Sequence, residues 1–590
     1  MVLYVNVTIT VKRLSYKEIN IMKMINNLKG ARPPKVITDL RHLVISGAEC
    51  FGDKALYIYK DIDGEMSEYS YVRLKDESQY IGTALLKLGI SDKAVAVSGD
   101  THPRYIATYI AVVNGNGCIV PIDKELSVDA IVDFLRLSEC QAFVYTKAQR
   151  EKAAEIADKM PEIKYFIPLE PDGDSLFSER VITVDALIEM GKQAVEEGFL
   201  DYVNTELEME KMSALLFTSG TTGTSKGVML SHKNLAAATN AAVLSMSYDD
   251  RNTFVSVLPP HHSYELTCGH LAIMDIGGQI LINDSLKRVM KNFQSFKPNA
   301  LMLVPLFLET MHKKIWEEVR RKGLEKQLRA LMKANGAMLA CRIDLRSKLF
   351  GKVTDAFGGN LKSIVCGGAP ISPDIIKDFY AFGITVLEGY GITECAPLVA
   401  VNSPGKVKFH SVGTAVHGCE VKIDKTEGEE TGEILVKGDN VMLGYYKNPE
   451  ATAEVFTEDG WFRTGDVGYM DDEGYIFITG RKKNVIILSN GKNVFPEEIE
   501  EHLSYVPCIA ESVVLTREND NGEQIITAIV VPNMDILGDK EKEEVYAEIK
   551  SAVNDINKSL PSFKQIRKIE VRYEPFERTT SKKIQRFKVQ

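Results

Sequence analysis

The sequence contains no CxxC cysteine pair, no apolar run long enough to span a membrane, no basic stripe, no internal repeat and no low-complexity tract. Each absence removes a class of protein. Nine dispersed cysteines, an odd number, argue against a disulfide framework or a structural zinc site and for a reducing, cytoplasmic setting. A net charge of −10 without a basic face disfavours nucleic acid as a partner. Without a spanning segment, any contact with a membrane is expected to be peripheral. The opening stretch puts its apolar residues before its charges, the wrong order for a secretory signal. Residues 1–33 are read as an extension of unassigned role, with Met22 and Met24 as alternative starts.

What is present is an ordinary soluble composition, 45% apolar and 26% charged over 590 residues, enough for two or more domains. Short strands (Ala55–Tyr59, Ala94–Val97, Gly117–Pro121) alternate with amphipathic helices (Leu74–Leu88, Leu126–Ser138). That alternation predicts a mainly parallel sheet covered on both faces. Glycine turns between Val412 and Val441 suggest a small antiparallel unit or barrel, and the character changes again near Gly480. The expected fold class is α/β: a large domain over 34–480, with layered β–α sheets and a small barrel-like unit, then a small α+β domain over 481–590. The charged stretch from Lys313 to Gly351 reads as a solvated helical face.

The chain is organised around Leu215–Val228, LLFTSGTTGTSKGV. A buried apolar strand breaks into Thr218, Ser219, Gly220, Thr221, Thr222, Gly223, Thr224, Ser225 and Lys226, before a helix capped at Ser231. Glycines admit a polyanion closely, hydroxyls and backbone N–H groups donate to it, and Lys226 adds charge. This is a phosphate loop, but Gly227 follows the lysine where the G-x-x-x-x-G-K-[ST] pattern needs Ser or Thr.

Four further stretches fit beside it. Val386–Glu394, VLEGYGITE, sets an aromatic between glycines, able to stack a base, ahead of a carboxylate able to hold Mg²⁺. Trp461–Asp466, WFRTGD, ends on an Asp that can accept both ribose hydroxyls. Gly480–Glu500 carries Arg481 at the domain junction, and Arg578–Arg586, RTTSKKIQR, is basic. Singly, each has an ordinary explanation: a turn satisfying its own Asp, a surface acid or a solvated tail.

Together and in this order, from about residue 50 to the C-terminus, they resemble the adenylate-forming superfamily of acyl-CoA synthetases, adenylation domains and luciferases. The resemblance implies two half-reactions: a carboxylate attacks the α-phosphate of ATP to give an acyl-adenylate, then a thiol, usually of coenzyme A, displaces AMP. It implies that Thr218, Ser219, Gly220, Thr221, Thr222, Gly223 and Lys226 cradle the β- and γ-phosphates and that Glu394 binds Mg²⁺. Tyr390 would stack on adenine beside Gly367, Gly368 and Ala369, with Glu388, Gly389, Gly391 and Thr393 completing that wall. Asp466 would hold the ribose with help from Arg481, and Lys583 would bridge the carboxylate and the α-phosphate. Lys483 matches the hinge of a mobile small domain, and Gly491 the loop facing the pantetheine arm. Two features depart from the family pattern. Lys582 stands where a glycine is common, which leaves either lysine able to react, although the spacing to Ile584 favours Lys583. The loop Leu488–Val494 is one residue longer than in many members.

Leu258–Glu265, LPPHHSYE, resembles the LPxxHxxE pattern of long-chain acyl-CoA synthetases and sets His262 and Glu265 as substrate-side candidates. No Asp lies between Leu258 and Gly269 to pair a substrate ammonium, which disfavours amino acids. The expected substrate is a medium- or long-chain fatty acid. Two other readings stay open: a ligase whose thiol belongs to an acyl carrier protein, and a non-catalytic nucleotide or acyl sensor. The retention of Lys583, Glu394 and Asp466 speaks against the sensor.

Overall fold

The structure is a computed structural model that describes residues 36–171, 177–218, 225–488, 493–519, 524–578 and 584–589. Its first sheet has seven strands, in the order Gly444–Tyr445, Lys226–Ser231, Met212–Thr218, Cys118–Ile122, Ala94–Ser98, Ala142–Tyr145 and Tyr165–Pro168. The last five run parallel, as the β–α alternation predicts, and the first two join antiparallel at one edge. The antiparallel strand Lys226–Ser231 was not anticipated. The chain doubles back between the two strands, whose ends Thr218 and Lys226 face each other.

A second sheet pairs Ala300–Leu303, Ser363–Gly367 and Thr385–Gly391 in parallel, then adds Leu398–Val401 and Thr414–Ala415 antiparallel. The amide of Asn299 donates to Thr253 O at 3.1 Å and links it to a four-stranded sheet of Met66–Ser70, Ala55–Lys60, Gln279–Ile282 and Thr253–Ser256. The parallel strands Ala300–Leu303, Ser363–Gly367 and Gln279–Ile282 are short and apolar because both faces are buried. The antiparallel unit is a four-stranded sheet of Cys419–Asp424, Gly432–Gly438, Phe462–Met470 and Ile476–Arg481; only its first two strands fall within the expected span from Val412 to Val441. Beyond it, Ile509–Glu518, Gln524–Pro532 and Lys568–Val571 form a three-stranded sheet under helices Pro496–Ser504 and Lys542–Ser559, with its own apolar core.

The charged stretch falls on helices Pro305–Arg321 and Glu325–Ala340 and the short helix Arg346–Leu349; in the second only Asn335 is buried. Lys313 reaches Asp535 of the small domain at 3.0 Å.

Helix His232–Ser245 positions the site. The Ser231 hydroxyl accepts from the Asn234 amide at 3.1 Å while Asn234 Oδ1 accepts from the Ser231 amide at 2.7 Å, a reciprocal cap. The Asn234 side chain also donates to Asp439 O and Val441 O, at 2.8 and 2.9 Å, and so fixes the loop leading to Tyr445. Ser231 is fully buried. Ser231→Ala is expected to destabilise the large domain by about 1–2 kcal/mol, read as a lower urea midpoint. An unchanged midpoint would mean that the cap carries no stability.

Candidate active site

Asp466 lies where three elements meet. Its strand pairs with Ile476–Arg481, which places Arg481 directly opposite. The carboxylate is 4% exposed; Oδ2 accepts the Tyr390 hydroxyl at 2.6 Å and Oδ1 faces Arg481 Nε at 2.9 Å. A buried charge is stable only with such short charge-assisted partners. Burial, and then the Asp466 charge, push the Tyr390 phenol well above its ordinary range, so it is a permanent donor at neutral pH.

Glu394 sits on the single turn Thr393–Cys395, just after strand Thr385–Gly391. Its carbonyl accepts from the Met442 amide at 2.8 Å and its Oε1 from the Tyr445 hydroxyl at 3.0 Å. The Lys226 ammonium lies 4.6 Å from the centroid of the same Tyr445 ring. Tyr445 thus holds the candidate metal carboxylate and the candidate phosphate cation against one another, and sequence reasoning did not single it out. The Thr218 hydroxyl donates to Lys226 O at 3.4 Å across the hairpin. The Lys483 side chain reaches solvent, yet partial desolvation, and then the Arg481 charge, push its ammonium down to about 8; Lys226 adds to the effect while Asp466 and Glu394 oppose it. Three cations and two carboxylates therefore share one field, a setting suited to a polyanion. Ser219, Gly220, Thr221, Thr222, Gly223, Gly491 and Lys583 lie outside the described residues.

The small residues beside Tyr390 are sterically required. A Cβ on Gly391 would meet Pro397 O at 2.3 Å, and Gly368, at φ +89°, takes a turn that L side chains resist. Gly367 pairs with Gly389 across the two strands, while Gly368 and Ala369 are exposed. Glu388 faces the register position of Cys366, and burial together with the Glu501 charge raises its carboxyl to about 8.

From these glycines a cleft of about 750 Å³, part of it open to solvent, runs inward between helix His232–Ser245 and the second sheet. Its wall is formed by Ala242, Val243, Met246, Ala272, Ile273, Ile276, Met302, Val365 and Leu398, with Tyr264 and Cys268. The hydroxyls on this wall are occupied: Tyr264 donates to Val365 O at 3.1 Å, and Tyr248 lies 3.0 Å from Ser363 Oγ. Among the described residues no charged side chain lines the cleft.

The structure does not bring Glu265 to this wall. Glu265 opens a π-helical segment, Glu265–Leu271, that turns its neighbours Tyr264 and Cys268 to the cleft and its own carboxyl into the core. There it is 1% exposed, accepts from Ser256 Oγ at 2.5 Å and lies 3.8 Å from His270 Nε2, whose other ring nitrogen is 3.3 Å from the Tyr57 hydroxyl. The His262 ring lies against that of His261, centroids 4.2 Å apart and tilted by 46°, and His261 faces Asp123 at 3.6 Å; neither histidine lines the cleft.

Residues 46–446 match the AMP-binding enzyme family and residues 483–590 the AMP-binding enzyme C-terminal domain. The chain belongs to the AMP-binding enzyme family, the adenylate-forming enzymes, on the acyl-CoA synthetase branch. It is 28% identical over 556 residues to long-chain-fatty-acid–CoA ligase 5 of Mus musculus, covering 86% of this chain and 79% of that one. It is 26% identical over 574 residues to the chloroplastic long-chain-fatty-acid–[acyl-carrier-protein] ligase AEE15 of Arabidopsis thaliana, covering 86% and 78%. The fold is shared with ATP-bound MatB from Rhodopseudomonas palustris, at a TM-score of 0.70, 24% identity and coverage of 94% and 98%.

Burial raises the Glu265 carboxyl from 4.5 to about 8. The unfolded chain therefore releases this proton first, and stability is lost as pH rises from about 4.5 to 8. Glu265→Gln is expected to flatten the fall in urea midpoint between pH 5 and pH 8. Parallel pH profiles for the two proteins would contradict a neutral buried acid.

Proposed function

We propose that the enzyme activates a medium- or long-chain fatty acid with ATP and passes the acyl group to the thiol of coenzyme A. The observation that carries this reading is the continuity of one cleft, from the glycines beside Tyr390 to an apolar wall with its hydroxyls already bonded. An alkyl chain loses nothing by entering such a wall and gains about 0.8 kcal/mol per buried methylene. An ammonium or a second carboxylate would be stranded there.

In this reading the acid's carboxylate waits at the mouth, near Gly367 and Gly368. Asp466 accepts the ribose hydroxyls, with Tyr390 and Arg481 holding its two oxygens in place. Lys226 and Lys483 offset the charge that builds on the departing pyrophosphate, and the hairpin brings Thr218 to the same end. Lys583 completes the constellation by family resemblance. Among the described residues no three His, Cys, Asp or Glu side chains converge as a metal site, so Mg²⁺ would be held by Glu394 and phosphate oxygens, the arrangement this ion favours beside nucleotides. When bound, the ion supplies charge neutralisation. The ACP ligase of Arabidopsis thaliana keeps a carrier-protein thiol as the alternative acceptor.

The test is acid-dependent ATP–pyrophosphate exchange without any thiol, offering acetate, octanoate, palmitate, an aryl acid and an amino acid. Exchange is expected with octanoate or palmitate, and Cys268→Trp, which fills the wall, should lower palmitate-dependent exchange by about tenfold or more. Exchange with the amino acid alone, or with no acid, would overturn the reading. Offering coenzyme A and a loaded carrier protein in turn then identifies the thiol.

A further inference from the structure

One buried carboxylate outside the nucleotide site touches both the residues that shape that site and the first residue beyond Arg481. Glu433, 8% exposed on strand Gly432–Gly438, has Lys482 Nζ at 2.8 Å and Arg463 Nη1 at 2.9 Å from Oε2. Its Oε1 accepts the Gly465 amide at 3.3 Å. Arg463 is shared with Asp424 at 3.1 Å, whereas Glu433 is the acid that Lys482 reaches among the described residues.

The geometry of the strand pair gives this contact its meaning. Glu433 faces Val467 and Leu435 faces Arg463, so Thr464, Gly465 and Asp466 crowd opposite the single residue Ile434. This is a bulge, a device that re-aims a side chain. Gly465 supplies its positive φ of 71°, and the Thr464 hydroxyl, which donates to Ile434 O at 2.8 Å, accepts the Asp466 amide at 3.0 Å. The bulge aims Asp466 at Tyr390, and Glu433 pins it from behind through Gly465. The same carboxylate holds Lys482, directly between Arg481, which pairs with Asp466, and Lys483.

We propose that Glu433 is a positioning residue that couples the bulge carrying Asp466 to Lys482, the residue directly before Lys483, the hinge position that the family resemblance implies. Lys482 directly precedes that position, so a reorientation of the small domain that also turns the Lys482 backbone parts the Lys482–Glu433 pair. Glu433 then falls back on Arg463, and its grip on the Gly465 amide changes. A ribose held by Asp466 fixes the bulge and favours the Lys482–Glu433 pair; departure of AMP releases both. Neither Glu433 nor Lys482 touches reacting atoms in this scheme, which rests on the two half-reactions proposed above.

The experiment uses Glu433→Gln, which keeps an acceptor for Gly465 and drops the charge, Lys482→Met, which keeps the stem and drops the charge, and the double variant, all in the full chain. The readout is the ratio of acid-dependent pyrophosphate exchange to thioester formation from a supplied acyl-adenylate. Each single variant should move this ratio about five- to twentyfold in one direction, and the double variant no further, because all three remove the same pair. An unmoved ratio with both rates lowered equally is what loss of folded protein alone would give, and it overturns the coupling. So do single effects that simply add. Energy transfer between dyes at Glu458 and Glu543 reads the small domain's orientation without chemistry. A shared shift in both single variants supports the coupling even if no acid supports exchange, an outcome that sinks only the substrate reading; an unchanged transfer overturns the coupling.

Discussion

The site depends on one buried anion. Asp466 is out of water, and its charge is tolerable only because the Tyr390 hydroxyl and the Arg481 guanidinium each take one oxygen. Tyr390 belongs to the second sheet, Asp466 to the antiparallel unit and Arg481 to the last strand before the small domain. Asp466 and Arg481 lie on paired strands of one sheet, so satisfying the carboxylate registers that antiparallel unit, up to its last strand, against the second sheet. Removing either partner would leave the buried carboxylate with one oxygen unpaired, a destabilising arrangement out of water.

Around that anchor the chemistry divides by polarity. On one side lie the hairpin ends Thr218 and Lys226, with Tyr445 holding Lys226 near Glu394. On the other side the cleft turns apolar within a few residues, because the glycines of Gly367–Gly368 and Gly389–Gly391 carry no side chain to close it. The π-helical segment belongs to the same design. Its wider turn presents Tyr264 and Cys268 to the cleft while Glu265 and His270 stay inside, both neutral at pH 7 because burial raises one and lowers the other. The acid anchors the segment to strand Thr253–Ser256 through Ser256, and so sets the wall rather than touching what lies against it.

Much of this was legible in the sequence wherever the information was local. The β–α alternation, the cap at Ser231 and the glycine-flanked Tyr390 all rest on residues within a few positions of each other, where helical and strand spacing and turn chemistry act. Contacts that join distant segments were not legible. Tyr445 meets Glu394 across 51 positions, and nothing in the surrounding GYYKNP marks it as a site residue. Glu265 was read toward substrate because its spacing from His262 matched a family pattern. The spacing could not say which way a π-turn would point it, since a helix wider than the usual 3.6-residue period moves every side chain off the expected face. The return strand Lys226–Ser231 was hidden by the loop before it, whose composition dominates the window.

The central claim is that one cleft takes the adenosine at Asp466 and the hydrocarbon beside Val365. The most direct test is a crystal structure of the enzyme with a non-hydrolysable dodecanoyl-adenylate analogue. The expected result places the ribose hydroxyls on Asp466 and the alkyl chain between helix His232–Ser245 and the second sheet, against Cys268 and Ile273. A chain that leaves the cleft for solvent or the small domain, or an adenosine bound away from Asp466, would contradict it.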